Sequence, residues 1–194
     1  MNEQNILKKV LEVIQGSLPV SDGTINNNYG QVDNGVVNLV DDTVDEQAIK
    51  RLSEDFAKAL NDRNFERLDG RAEYHLYTVD HLIELIKNND EQNTIRLFNE
   101  NKIKSKYEGC DFLSITFSED QEQAEVAYDV RICVESADAK YFKQLNKKNN
   151  KDNRIIGGNP FSTTYTLIVK KEKGTWKIDK FEASEENIKM GTDC

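Results

Sequence analysis

The sequence predicts an α+β fold in which helices pack in the concave face of a curved antiparallel sheet, preceded by an N-terminal helix and a linker. In the first half, apolar residues recur at the spacing of amphipathic helices. In the second half, apolar and polar residues alternate, as in half-buried strands. Because helices come first and strands follow, the layout is not the alternating βα order of a parallel sheet. The clearest alternation puts these residues on one face: Ala124, Val126, Tyr128, Val130, Ile132 and Val134.

Residues 1–15 are predicted to form a short amphipathic helix, because Ile6, Val10, Val13 and Ile14 share one face. An isolated helix of this length is marginal in water. We therefore expect it to dock on its own domain, on a second copy or on a partner. Residues 16–43 contain four glycines, five asparagines and four aspartates, which indicates a flexible linker. A small hairpin that turns at Asp33-Asn34-Gly35 is the alternative.

The domain itself is predicted over residues 44–185, and its helices come first. Thr43 and Glu46 match a capping box, in which both side chains bond free amide groups, so we expect a first helix over about 44–61. A short helical turn is expected over 64–68. A third helix opens at Thr78, and a fourth follows Asn89-Asp90.

Strands are predicted from alternation at 103–107, 111–118, 123–135, 161–170 and 175–181. A basic insert at 138–159, with five lysines and one arginine against two aspartates, separates the third of these strands from the fourth. Tyr141, Phe142 and Leu145 are expected to anchor a helical turn within it. Residues 186–194 are predicted to be a tail.

The charge and cysteine content bound the class of protein. A net charge of −9 disfavours a general nucleic-acid or anionic-membrane binder. No apolar run approaches the roughly 20 residues that cross a bilayer, and the N-terminus lacks a signal-peptide pattern. A cytoplasmic location is therefore predicted, or the soluble part of a membrane-anchored protein. Cys110, Cys133 and Cys194 are expected to be free thiols in a reducing compartment, with a Cys110–Cys133 bridge as the alternative.

A family resemblance rests on the closing hairpin and on the segment after the first helix. The hairpin carries Tyr165, Leu167, Gly174, Trp176 and Ile178, and the earlier segment reads DRNFERLDG. Together they resemble the nuclear transport factor 2-like superfamily, whose members form a cone of helices wrapped by a bent sheet. The order of Tyr107, Ile115 and residues 123–126 is similar to ARC-type intermembrane-space domains and to cone domains of bacterial membrane-anchored and conjugation proteins. The resemblance covers about residues 44–185 and implies an assembly or docking module.

Enzymes of that superfamily place an acid–base pair inside the cone, and the resemblance implies where one would lie here. The predicted pocket residues are Tyr74, Tyr77, Asp80, His81 and Trp176. A histidine can act as a general base near neutral pH, and burial can tune a carboxylate. The alternative is structural, since Asp80 also suits the first turn of a helix and Trp176 suits a core. His75 and His81 are six residues apart, unlike a zinc-binding helix pair, so no metal and no cofactor are predicted.

The basic insert is the other candidate site. Its docking residues are predicted to be Lys140, Lys143, Lys147, Lys148, Lys151 and Arg154. They would attract an acidic partner or the acidic surface of another copy, and a solvated flexible loop is the alternative. The function predicted is a non-catalytic protein-interaction or assembly module of a bacterial type, with a protein partner or a homo-oligomer and no nucleic acid. A small-molecule-binding cone with acid–base chemistry near Tyr74, Asp80 and His81 is the alternative, and enzymatic activity is left open.

Overall fold

The computed structural model describes the backbone of residues 41–147, 154–184 and 189–190, and the side chains of 44–147 and 154–184. Its first element is helix α1, Asp41–Asn61. The helix therefore begins three residues before the predicted start, so the prediction that Thr43 caps it is wrong. The predicted apolar face is confirmed, because Ile49, Phe56 and Ala57 are fully buried.

Short helices follow, as the sequence predicts. One 3-10 turn spans Phe65–Arg67, and a second, which was not predicted, spans Tyr74–Leu76. Helix α2 is Val79–Lys87, and the hydroxyl of its N-cap Thr78 accepts a hydrogen bond from the His81 amide. Helix α3 is Asp90–Asn101, after Asn89 in the left-handed conformation.

The described strands form an antiparallel sheet in the order β1-β2-β3-β4-β5, with β6 paired to β4. Their bounds are β1 Arg63–Asn64, β2 Lys104–Phe117, β3 Gln123–Ser136, β4 Pro160–Glu172, β5 Thr175–Ala183 and β6 Lys189–Met190. The two strands predicted at 103–107 and 111–118 are thus a single strand, β2. The short β6 lies where only a tail was predicted.

Strand β2 is continuous because bulges absorb its irregular centre. The register shifts between Tyr107 and Gly109 and again between Phe112 and Ser114. Gly109 has a φ of +120°, a backbone conformation that favours glycine, and a Cβ there would lie 2.8 Å from Nη2 of Arg131, so the flexible Arg131 side chain would have to shift. Bulges bend a strand and increase its twist. They thus help to curl the sheet around the helices.

The concave face of the sheet holds the core. Helix α1 packs against β2 and β5, and one cluster joins its buried residues to those of β3, β4 and β5. Phe56 and Tyr128 are fully buried, and Trp176 is 5% exposed. Ring contacts continue through the cone, such as the edge-on contact of Phe56 with Tyr77 at 5.6 Å. The predicted fold class, an α+β cone with helices in the concave face, is confirmed.

The basic insert contains an ordered helix, α4, Ala139–Leu145. Tyr141, Phe142 and Leu145 pack against the core, so the predicted anchor is confirmed. Asn146 closes the insert at its base, because its side chain donates to the Ile155 carbonyl at 2.8 Å and accepts from the Ile155 amide at 2.7 Å.

Several sequence predictions lie outside the described residues. They are the helix at 1–15, the linker up to residue 40, and the positions Lys148, Lys151 and Cys194. Residues 41–43 are helical, although the linker was predicted to reach residue 43. Among the helices of the described residues, none combines the length and apolarity that spanning a bilayer would need.

The cysteines depart from the prediction of free thiols. Cys110 is free, but Cys133 is disulfide-bonded. The prediction is therefore wrong for Cys133, and the alternative Cys110–Cys133 bridge is not formed. The cysteines no longer support a reducing compartment, because disulfides persist in oxidising ones. The cytoplasmic location stays a prediction.

Candidate functional site

The predicted pocket residues on the α2 side of the cone lie in two groups. Tyr77 forms a bridge to Ile178 of β5 and contacts the His81 ring, with centroids 4.6 Å apart. Tyr74 lies next to Tyr77, with centroids 6.5 Å apart, and its hydroxyl lies 3.4 Å from Oδ2 of Asp90. Asp80 is exposed at the start of α2. The structure thus brings Tyr74, Tyr77 and His81 together and leaves Asp80 at the surface.

Trp176 belongs to a different contact. Its Nε1 donates to Oδ1 of Asp45 at 2.9 Å, and its ring meets Phe117 with centroids 6.0 Å apart. Lys171 donates to Oδ2 of Asp45 at 2.8 Å and lies over the indole. The contacts of Trp176 and Lys171 with Asp45 therefore connect the start of α1 to the β4–β5 hairpin.

Burial decides the protonation of the tyrosine–histidine group. It raises the pKa of Tyr74 and of Tyr77 well above the usual range, with the nearby carboxylates adding to the effect. Burial also lowers the pKa of His81, although the negative charges of Glu84 and Asp179 act to raise it. At neutral pH the group therefore consists of two phenols and a neutral imidazole. Its role in acid–base chemistry stays a prediction.

A buried ion pair lies where α1 gives way to β1. Arg63 donates through Nη2 to Glu73, and the side chains are only 4% and 3% exposed. Arg63 also donates through Nε to the Ala59 carbonyl at 3.0 Å. Burial raises the pKa of Glu73, and Arg63 opposes that rise. Sequence reasoning missed this pair. The one signal in the sequence is spacing. Arg63 comes seven residues after Phe56 and three after Leu60, so it continues the apolar face of α1.

Arg63 also lines two cavities of about 280 Å³ each. The first, which we call the polar cleft, has a charged lining that includes Arg67, Lys104, Asp62 and Glu135. The second, which we call the insert cavity, lies between the end of α1, α3, the strands and α4. Its lining is largely apolar and comprises Leu60, Asn61, Arg63, Thr94, Leu97, Phe98, Ile103, Ser105, Ile132, Val134, Tyr141, Leu145 and Phe161.

The outer face of the insert carries the basic residues that the sequence singled out. Lys140, Lys143 and Lys147 are exposed at a spacing of three and four residues, which places them on one side of α4 and the turn after it. We call these three residues the basic stripe. None of them forms an ion pair with another described residue. Arg154 is also exposed.

Within the part of the chain that the structure describes, no three histidine, cysteine, aspartate or glutamate groups come together as metal ligands do.

Comparison with known proteins finds similarity only among solved structures. No protein-family model matches the sequence. No curated protein is similar to it. Among solved structures, the chain is similar to a hexachlorocyclohexane dehydrochlorinase, LinA type 2, with 10% identity, a TM-score of 0.46, and 78% of this chain and 92% of that chain covered.

The chain is also similar to two further solved structures. One is an Ntf2-like protein involved in plasmid conjugation, with 16% identity, a TM-score of 0.43, and 77% of this chain and 50% of that chain covered. The other is the intermembrane-space region of the chloroplast protein ARC6, with 18% identity, a TM-score of 0.34, and 74% of this chain and 96% of that chain covered.

Proposed function

We propose that this domain is a non-catalytic assembly module that docks through the basic stripe onto the acidic surface of a second copy. The observation that carries the proposal is that Lys140, Lys143 and Lys147 project from a helix whose other side is anchored on the core. A row of charges that form no ion pair with another described residue keeps its electrostatic attraction for a partner.

The charge distribution supports a second copy as the partner. The insert has a net charge of +4, whereas the whole chain has −9. An acidic turn joins β2 to β3, and its exposed residues Glu119, Asp120 and Glu122 continue into the exposed Glu125 near the start of β3. A hydrogen bond from the Ser118 hydroxyl holds the pKa of Asp120 below its usual value. Asp120 therefore stays ionised at neutral pH.

Strand topology separates the two charged features. The acidic turn precedes β3 and the insert follows it, so they lie at opposite ends of a strand of 14 residues. At about 3.3 Å per residue, that separation is about 45 Å. One copy cannot pair its own stripe with its own turn, but two copies can meet head to tail. Such a heterologous contact builds rings or open chains rather than closed twofold dimers.

A charge-swap experiment tests the proposal. Variant K140E/K143E/K147E has an acidic stripe, and variant E119K/E122K/E125K has a basic turn. Sedimentation velocity at low salt should show association of the wild type, none for either variant alone, and restored association in their mixture. Raising the salt should dissolve the complexes, because surface charge pairs are screened over about 8 to 10 Å at physiological ionic strength.

A matched control separates the stripe from net charge. The variant K58E/K87E/K180E changes net charge by the same amount at three exposed lysines outside the insert, and it should associate like the wild type. A wild type that stays monomeric at low salt would contradict self-assembly. Association of both swapped variants alone would show that another surface is responsible.

A further inference from the structure

The insert cavity has features of a ligand site that self-assembly through the basic stripe does not use. It is bounded on one side by the inner residues of α4, Tyr141 and Leu145, whereas the stripe lies on the outer side of the same insert. Its volume of about 280 Å³ is just below the lower end of small-molecule pockets, about 300 Å³. A small ligand is therefore the appropriate size class.

The guanidinium of Arg63, which lines both this cavity and the polar cleft, has a donor group that no described residue uses. A guanidinium carries five N–H groups. Here Nε and Nη2 are used on Ala59 and Glu73, and Nη1 bonds no other described residue. Among the described residues, no fully buried side-chain nitrogen or oxygen lacks a partner. The Nη1 group is therefore not sealed in the protein and remains accessible from a cavity that Arg63 lines.

A second unused donor comes from the insert. Tyr141 lines the cavity, and its hydroxyl bonds no other described residue. Burial raises the pKa of Tyr141, so the hydroxyl stays protonated and can donate. The walls around these two donors are mainly apolar, with Leu97, Phe98 and Phe161 among them.

From these contacts we infer that the insert cavity binds a small monocarboxylate with an apolar body, whose carboxylate accepts hydrogen bonds from Arg63 Nη1 and the Tyr141 hydroxyl. Arginine suits this ligand because its planar N–H groups match a carboxylate, and such charge-assisted bonds are stronger than neutral ones. The apolar body would displace water from the leucine and phenylalanine walls. A phosphate or another highly charged anion fits less well, because Glu73 already neutralises much of the guanidinium charge.

Binding of octanoate, with octanol as a neutral probe of the same chain length, tests this inference on the full chain. Calorimetry should give octanoate an affinity about tenfold or more above that of octanol, since only octanoate makes the charge-assisted bond. Nuclear magnetic resonance shifts on octanoate addition should concentrate in α3, α4 and the start of β2. Equal affinity for the two probes, or shifts confined to other regions, would overturn the inference.

Variants locate the carboxylate. Changing Arg63 alone would leave Glu73 buried and unpaired, so the double variant R63M/E73L removes both charges. It should bind octanoate no better than octanol. Y141F keeps the shape of the side chain without its hydroxyl and should weaken octanoate about threefold to tenfold. Q144A, at an exposed residue of α4 that does not line the cavity, should bind like the wild type.

The outcomes remain informative if one variant misfolds. Circular dichroism shows whether each variant is folded. If R63M/E73L is unfolded, the inference is tested by Y141F and by the comparison of octanoate with octanol. An octanoate preference that survives in both Y141F and a folded R63M/E73L would overturn the inference. The result is independent of self-assembly, because K140E/K143E/K147E should still bind octanoate.

Discussion

Buried tyrosine hydroxyls in this domain connect helix α1 to strands of the sheet through hydrogen bonds. The Tyr128 hydroxyl donates to the Ser53 carbonyl at 3.1 Å, and the Tyr165 hydroxyl donates to Oδ1 of Asn61 at 3.1 Å. Each bond joins α1 to a strand through a buried phenol. Such groups must be paired, because a buried donor without a partner costs about 1 to 3 kcal/mol. Arg63 differs from these tyrosines, since its Nη1 group bonds no other described residue.

Asp45 gives a pH-dependent prediction at this scale. Hydrogen bonds from Lys171 and then Trp176 lower the pKa of Asp45 from its usual 3.8. Because the folded-state pKa is depressed, the ionised carboxylate stabilises the fold at pH values above 3.8, and this stability is lost as the pH falls through the folded value. D45N should lower the free energy of unfolding at pH 7 by about 1 kcal/mol and remove this part of the acid loss.

Urea unfolding from pH 7 down to pH 2 provides the measurement. D55N is the matched control, because Asp55 is exposed on the same helix and its side chain forms no hydrogen bond or ion pair with another described residue. It should unfold like the wild type throughout. Identical acid profiles for D45N and the wild type would show that the contact with Trp176 and Lys171 does not stabilise the fold.

At the scale of elements, local patterns predicted the helices and strands well and failed where tertiary pairing decides. Alternation located β3 and β4 because each has one face in the core and the other toward the surface. It divided β2 in two because residues 108–110 break the alternation. The structure keeps one strand there, since β3 supplies continuous pairing partners and bulges absorb the extra residues. A sequence alone does not show those partners.

Gly109 provides a prediction about this bulge. In G109A, alanine would have to adopt a φ of +120°, and its Cβ would approach Nη2 of Arg131 to 2.8 Å. The unfavourable backbone conformation should lower the free energy of unfolding by about 1 to 3 kcal/mol, as measured by urea unfolding. The double variant G109A/R131A removes the contact. The free-energy cost of G109A in the R131A background therefore measures the backbone strain alone, and the difference from its cost in the wild type measures the contact. A G109A midpoint equal to that of the wild type would mean that the bulge rearranges freely.

For the whole molecule, the fold was predictable and the candidate cavity was not. The order of helices and strands predicted an α+β fold with helices on one face of a curved sheet, because each element carries its own apolar period, and the family resemblance added the cone. The insert cavity is assembled from residues between Leu60 and Phe161, which come from α1, α3, α4 and the four strands β1 to β4. No local pattern connects them, because their proximity results from the curl of the sheet. The basic stripe was predictable, since its residues lie close together in the sequence.

The single connected core predicts that the domain unfolds cooperatively. Trp176, the only tryptophan, is 5% exposed and belongs to the same apolar cluster as α1, β3 and β4. Its fluorescence should therefore shift to the red when the domain unfolds in urea. The transition should coincide with the loss of far-ultraviolet circular dichroism, which reports the helices and the sheet, because small domains with one core unfold in one step. If the fluorescence changed at a clearly lower urea concentration, the contact between Asp45 and the β4–β5 hairpin would open as a separate unit. W176F, read by circular dichroism alone, controls for the contribution of the indole to the stability that is being measured.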